Sequence, residues 1–442
     1  MESLLQGSLQ GDEREMEGGS QDGIAGILKY APGRDGPNQS EVQLATGQIG
    51  REIPAARLYR GSDLTASVQR LDMSSQPVIL SGPRCFLQEP YPASYLSTNG
   101  HQPSTPDWTH TALNDVFSRR IFKPLPPKFH ALALINEAFD SFHNAFPIFD
   151  QTTFMEKFTE TYSLAEPSDS CSDTAWWASL NVVLALAHRF RAMRTRNAHS
   201  EDREAWGYLK NALALVTELT LLSSSLLAVQ ALLGMAIVAQ GTPNPRPCEA
   251  LIAVVLRLAQ SMGLHRRVQK EGLSDDDREL RKRVFWIAYF LDKDINFKTG
   301  RPPVQDDEDM DVELPVGTAY LYMPGEVRDR EIDFFSLRIG VAIIQGQIYK
   351  RLCSVNAERQ SEMERAVAVR ELEAMLETWK RSVPIDFQAD YIGTEVLTQD
   401  LPTLLHMVII RSTYFNSLDI IHQYSPRNTE WHFENTLRAY TV

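Results

Sequence analysis

The sequence predicts an all-α protein: a multi-helical body of stacked antiparallel helices behind a largely disordered N-terminal arm. Three observations carry this. From about Ala112 onward, apolar residues recur at spacings of three and four in successive stretches, the period of a helix with one buried face. No stretch sustains the alternation of a half-buried strand, so strands should be few. Residues 1–114 differ in composition. GDEREMEGGSQDG and APGRDGPNQS are rich in Gly, Ser and charge, and QEPYPASYLSTNGHQPSTPDW is rich in Pro, Ser and Thr. Such segments bury too little apolar surface to offset the entropy of ordering.

The body is expected over residues 115–435. Leu125-Pro126-Pro127 opens a first helix whose apolar set is Phe129, Leu132, Leu134, Ile135, Ala138, Phe139 and Phe142, and Pro147 closes it. Asp150 precedes TTFMEKFTETY, with Phe154 and Phe158 one turn apart. Further helices are predicted over Trp176–Arg189, Asp202–Leu219, Ser225–Gln240 and Glu249–Met262, with GTPNPRP as a loop before the last. The recurrence of about 20 to 25 residues suits a stack of the α-solenoid kind, although no residue pattern repeats. After Pro315 helices resume over Ile332–Leu352, Ser361–Trp379 and Leu401–His422, with an incipient one at Trp431–Tyr440.

Bulk properties narrow the function classes. The 442 residues are 43% hydrophobic and 23% charged, the balance of a soluble globular protein. The longest nearly apolar run, Leu226–Ala239, contains Gln230 and is too short to span a membrane, so no membrane partner is expected. No charged segment followed by an apolar stretch opens the chain, which argues for an intracellular protein. The net charge of -13 disfavours a surface that displaces counterions from phosphates, and acidic residues outnumber basic ones in the arm as well. Cys85, Cys171, Cys248 and Cys353 are far apart, with no C-x-x-C pair, and read as buried free thiols.

The stretch Leu258–Pro315 is the most informative. Gly263 stands where the preceding helix should stop, followed by Leu264, His265, Arg266 and Arg267 near the negative helix end. Ser274 with Asp277 makes a capping box for the next helix, whose face is Leu280, Val284, Ile287 or Ala288, Leu291 and Ile295, widened by Phe285 and Phe290. Arg281, Lys282 and Arg283 point in different directions around it and read as a solvated or carboxylate-paired face. Gly300-Arg301-Pro302-Pro303 is a stop and turn, and Arg301 is expected to clamp back onto Asp292 or Asp294. None of these residues forms a catalytic set.

These motifs resemble the central region of the fungal-specific transcription factors. The residues that carry the likeness are Gly263-Leu264-His265-Arg266, Arg281-Lys282-Arg283-Val284-Phe285-Trp286, Leu291-Asp292-Lys293, Gly300-Arg301-Pro302 and Leu314-Pro315, with Lys293 where Arg is more usual. FDSFHNAFPIFDQTTF upstream and WKRSVP downstream extend it, in order, over residues 115–425. The resemblance implies the regulatory domain of a nuclear regulator of RNA polymerase II transcription, with effector sensing by a small molecule or homo- or hetero-dimer contacts as its work. It also implies DNA as a partner and zinc as a cofactor, through a module that holds two zinc ions with six clustered cysteines. This chain departs from that pattern. Only Cys85 lies in the arm, so no zinc ligand set and no DNA reader are visible. Either the chain is a piece of a longer product, or it is a regulator that works without its own reader. An interaction protein that modulates a full-length regulator is the alternative.

An enzyme reading is weaker. Asp307-Glu308-Asp309-Met310-Asp311 matches the D-[DE]-x-x-D motif by which terpene synthases hold magnesium, but it follows two prolines in a loop and lacks a second metal motif. No H-E-x-x-H, G-x-S-x-G or Walker loop occurs. His143, His188 and His265 read as packed histidines. Trp176-Trp177 reads as a packing anchor, with a ligand-pocket wall as the other reading.

Overall fold

Several helices begin where the sequence supplies a side-chain cap, and the longest ends at a left-handed glycine. In the computed structural model the described residues are 121–163, 173–195, 198–240, 242, 244–267, 272–316, 321–323, 330–388 and 401–425. The N-terminal arm, its boundary at 114, and the incipient helix at 431–440 lie outside them.

Helix α1 spans Lys128–Ala145 and turns Leu134, Ile135, Ala138 and Phe142 inward. Phe129 does not join that face: it sits in the first turn and is 86% exposed. Asp150 caps α2 (Gln151–Thr161) by accepting from Thr153 N, and Asp173 caps α3 (Thr174–Arg194) through Ala175 N and Trp176 N. The single helix predicted over Asp202–Leu219 is two, α4 (Ala198–Leu213) and α5 (Val216–Leu221). Leu215 makes the break: it is buried, and its N–H turns back to Ala212 O in a tighter turn. Core burial overrides helix propensity there.

Helix α6 (Leu226–Gln240) is buried on nearly every side, as its nearly unbroken apolar composition requires. Helix α7 (Arg246–Ser261) starts with Pro247 in its first turn, and α8 (Asp275–Thr299) is the longest at 25 residues. A short antiparallel hairpin, β1 (Leu321–Met323) with β2 (Arg330–Ile332), follows, paired Leu321 to Ile332. Then come α9 (Phe334–Ile348), a π-helical turn (Tyr349–Cys353), α10 (Val355–Glu358), α11 (Glu362–Ser382) and α12 (Leu401–Gln423). A full capping box between Ser361 and Glu364 opens α11.

The all-α class holds, with that hairpin as the one exception among the described residues. The stacking is not a simple solenoid, in which each unit meets only its neighbours. Helix α3 packs against α1, α4, α5 and α6, while α9 packs against α8, α11 and α12. Helix α8 joins the two groups through α6, α7 and α9, and α12 returns to α1. The core is continuous from Ala131 to Ile421. Among the described residues no helix is long and apolar enough to cross a membrane.

Candidate functional site

Two features could carry function: a strap laid along α8, and a cavity beside it. The strap is residues 301–316. Both of its approaches are set by left-handed glycines, Gly263 (φ 71°) after α7 and Gly300 (φ 67°) after α8. Leu264 N bonds Ala259 O and Gly263 N bonds Gln260 O; Arg301 N bonds Asn296 O and Gly300 N bonds Phe297 O. Each is a Schellman pair, which a Cβ-bearing residue at the glycine would strain.

Asp292 anchors the strap from inside. Its Oδ1 accepts from Val304 N (3.0 Å) and Asn296 Nδ2 (2.7 Å), and its Oδ2 from Gln305 N (3.1 Å). Burial raises its carboxyl, and these bonds with nearby Lys293 oppose the rise. Lys293 Nζ donates to Gln305 O (2.7 Å) and pairs with Asp307 (2.8 Å), which also accepts from Tyr289 Oη (2.8 Å). Trp286 Nε1 donates to Glu313 O (2.9 Å), while His265 O accepts from Asp311 N and Val312 N. Phe285, Trp286 and Pro315 are buried, Leu314 is half-buried against the core, and Pro302 is exposed. Of the resemblance motifs, the residues from Gly263 to Arg266, Phe285, Trp286, Asp292, Lys293, Gly300, Leu314 and Pro315 border or hold this strap, whereas Arg281, Arg283 and Arg301 turn to partners outside it.

Three expectations change. Arg301 does not clamp Asp292 or Asp294; it pairs with Glu249 on α7, because Asp292 is already saturated by the strap backbone. Ser274 caps α8 through Asp277 N, but the Asp277 side chain accepts from the serine hydroxyl and not from the cap backbone. Of the basic triplet, Lys282 is carboxylate-paired, to Glu279 and Glu313. Arg281 and Arg283 are half-buried, not solvated, and burial lowers both. Arg283 faces Asp150 at the α1–α2 turn.

The acidic run opens with one tight turn, Asp307–Asp309, and three of its carboxylates are in protein contacts: Asp307 as above, Glu308 with Lys350, Asp311 with Arg266. Among the described residues no group of three or more His, Cys, Asp or Glu side chains is placed to hold a metal. Zinc does not fit the two described cysteines either. Cys248 and Cys353 stand on different elements, and burial pushes the Cys248 thiol up to about 12, against the thiolate zinc requires.

His143 is half-buried, with Nε2 2.7 Å from Phe149 O; burial lowers it. His188 meets Glu201 at 2.6 Å. His265 is lowered by burial and by Arg266. Trp176 donates to Thr161 and packs edge-on to Phe154, and Trp177 is fully buried; neither lines the cavity.

The cavity, about 310 Å³, lies where α1, α3, α6, α8, α9 and α12 converge. Phe142, Phe146, Phe190 and Phe290 make much of its wall. Arg338, on α9 and 6% exposed, lines it. Its guanidinium lies 3.9 Å from the Phe290 ring centroid and 4.5 Å from that of Phe146, and Nη1 donates to Ala145 O at 2.8 Å. It thereby caps the C-terminus of α1. Desolvation lowers Arg338 to about 9, opposed by Asp294. A lone charge inside the largely apolar FFSLRIGVAIIQGQI is the sequence signal of this site.

The described fold can now be set beside known proteins. Residues 135–381 match the fungal specific transcription factor domain. The chain is similar to the ABC-transporter-regulating transcription factors of Aspergillus oryzae and Aspergillus fumigatus, each 44% identical over 331 residues, or 73% of this chain and 36% of theirs. It is also similar to the fusaridione A cluster transcription factor of Fusarium heterosporum, 38% identical over 62% of this chain and 51% of that one. The chain therefore spans about a third to a half of the length of these relatives. No solved structure matches.

Proposed function

The chain belongs to the fungal specific transcription factor domain family, and from that premise we propose that it is the regulatory body of a nuclear regulator of RNA polymerase II transcription. The observation that supports this most is the strap. The motifs shared with the family fall inside the matched region, and their side chains go into caps, ion pairs and core packing, with no nucleophile, base or oxyanion donor set among them. Such a unit holds a shape. In this reading the body works by contact, through dimerisation or by sensing a small-molecule effector. The names of the Aspergillus relatives speak of ABC-transporter regulation. Target choice belongs to a DNA reader, and this chain supplies four dispersed cysteines where a binuclear zinc cluster needs six, so those targets are not carried over.

The test is a reporter assay. The chain is fused to an unrelated DNA-binding module and expressed in a fungal host carrying the matching promoter. The fusion should move to the nucleus and change reporter output relative to the module alone. A folded, nuclear fusion with no effect on output would sink the proposal. The second reading is a protein that pairs with a full-length regulator and modulates it. That reading expects the unfused chain to shift the output of the fusion when the two are co-expressed.

A further inference from the structure

The cavity between α1, α3, α6, α8, α9 and α12 has an apolar wall and, among the described residues, three polar groups whose hydrogen-bonding capacity is only partly used. Arg338 makes one hydrogen bond among the described residues, to Ala145 O, leaving most of its five N–H donors unused. Gln345 Nε2 and Asp294 Oδ1 are buried and have no hydrogen-bond partner. Arg338 and Gln345 are seven residues apart on α9, two turns along one face. Buried polar groups ordinarily find partners, and three lining one cavity point to a ligand that supplies them.

The sign of that ligand follows from the charges around the cavity. Lys298 pairs with Asp294 Oδ2 at 2.9 Å, and Arg189 pairs with Asp202. Among the described residues lining the cavity, Arg338 is the cation with no carboxylate in direct contact, Asp294 acting on it only at longer range. It is pinned between two phenylalanine rings and a helix carbonyl, so its planar fork is pre-set for a carboxylate. We propose that the cavity binds an amphipathic organic anion, with its carboxylate on Arg338 and its apolar body against the phenylalanine wall. Gln345 donates to the same head group, and Asp294 Oδ1 accepts from a hydroxyl or water beside it. The volume of about 310 Å³ suits a small molecule, at the low end of the roughly 300–1,000 Å³ of organic-ligand pockets. Arg338, held at about 9, stays charged at neutral pH, as the pairing needs. This assignment rests on the regulatory reading above and names the class of its effector.

The experiment is calorimetric titration of the purified full chain with decanoate and 1-naphthoate, and with decanamide and 1-naphthamide as neutral counterparts. At least one acid should bind, about tenfold or more tighter than its amide, as a charge-assisted fork pairing provides. Which acid binds decides between an aliphatic and an aromatic body. Arg338→Met should bring the acid down to the level of the amide. It should also fold, since the methionine chain keeps the packing on Phe146 and Phe290, and the lost bond to Ala145 O costs about 1–3 kcal/mol. Should it fail to fold, Gln345→Leu is the second variant, and it should weaken the acid several-fold. Equal binding of acid and amide, binding of neither acid, or an undiminished preference in the folded variants would overturn the proposal. The reporter assay fails independently. An active fusion without acid binding removes only the ligand class, and acid binding with a silent fusion removes only the regulatory reading.

Discussion

Asp292 shows how much one side chain can organise. It is wholly buried, and three donors from the strap and α8 converge on its two oxygens. Asparagine has nearly the same shape but one acceptor fewer, so its amide would set N–H against the N–H of Gln305 or Val304. Asp292→Asn should therefore cost about 1–3 kcal/mol, the penalty of an unsatisfied buried donor. Urea denaturation would measure it, and limited proteolysis should show new cleavage within 301–316. An unchanged midpoint with an intact strap would mean that the carboxylate is not the anchor. Arg301 teaches the complementary lesson. Its place after the helix-ending Gly300 marks it as a clamp, yet its partner, Glu249, is 52 residues away. A pair across two helices leaves no local trace, so the kind of contact was legible and the partner was not.

At the scale of elements, caps and glycines were readable and close approaches were not. Ser274, Gly263 and Gly300 mark helix ends because their chemistry is local. The break at Leu215 was missed because it depends on what the core offers that side chain. Gly234, in the middle of α6, is of the second kind. A Cβ there would lie 2.4 Å from Val182 Cγ1 on α3 and 3.3 Å from Ile148 Cδ1. Alanine would gain about 1 kcal/mol of helix propensity. Overpacking a rigid, fully buried contact costs about 1–3 kcal/mol, and both neighbours are 0% exposed, with little room to yield. Gly234→Ala should thus lower the melting temperature by several degrees, roughly 2–4 °C per kcal/mol for a chain of this class. Combining it with Val182→Ala should cost less than the sum of the two single changes. Strict additivity in that pair would show that α3 and α6 do not meet at this glycine.

Across the whole molecule, the cavity is the part least visible in sequence, since six helices from Phe142 to Thr413 contribute to it. The same convergence buries His406 of α12 beside it. Its ring stacks on Phe334 of α9 at 4.5 Å and 7°, and its Nδ1 is buried without a partner. Burial first, and then the charge of Arg338, lower it from 6.5 to about 3. A base whose folded pKa is depressed is neutral in the fold but takes a proton in the unfolded chain. Its contribution to stability is therefore complete above about 6.5 and is lost as pH falls from there toward 3, at up to about 1.4 kcal/mol per pH unit. Lowered carboxyls such as Asp150, whose ordinary value is 3.8, add their own loss only lower down. Between pH 7 and 4.5 the slope should belong mainly to His406, with His143 and His265, also lowered by burial, acting in the same direction. His406→Phe keeps a flat ring for the Phe334 stack and removes the titration. Denaturation midpoints taken across pH 7 to 4.5 should fall less steeply in the variant than in the native chain. Equal slopes would place the acid sensitivity elsewhere, and would imply that α12 admits a proton where it closes over Arg338.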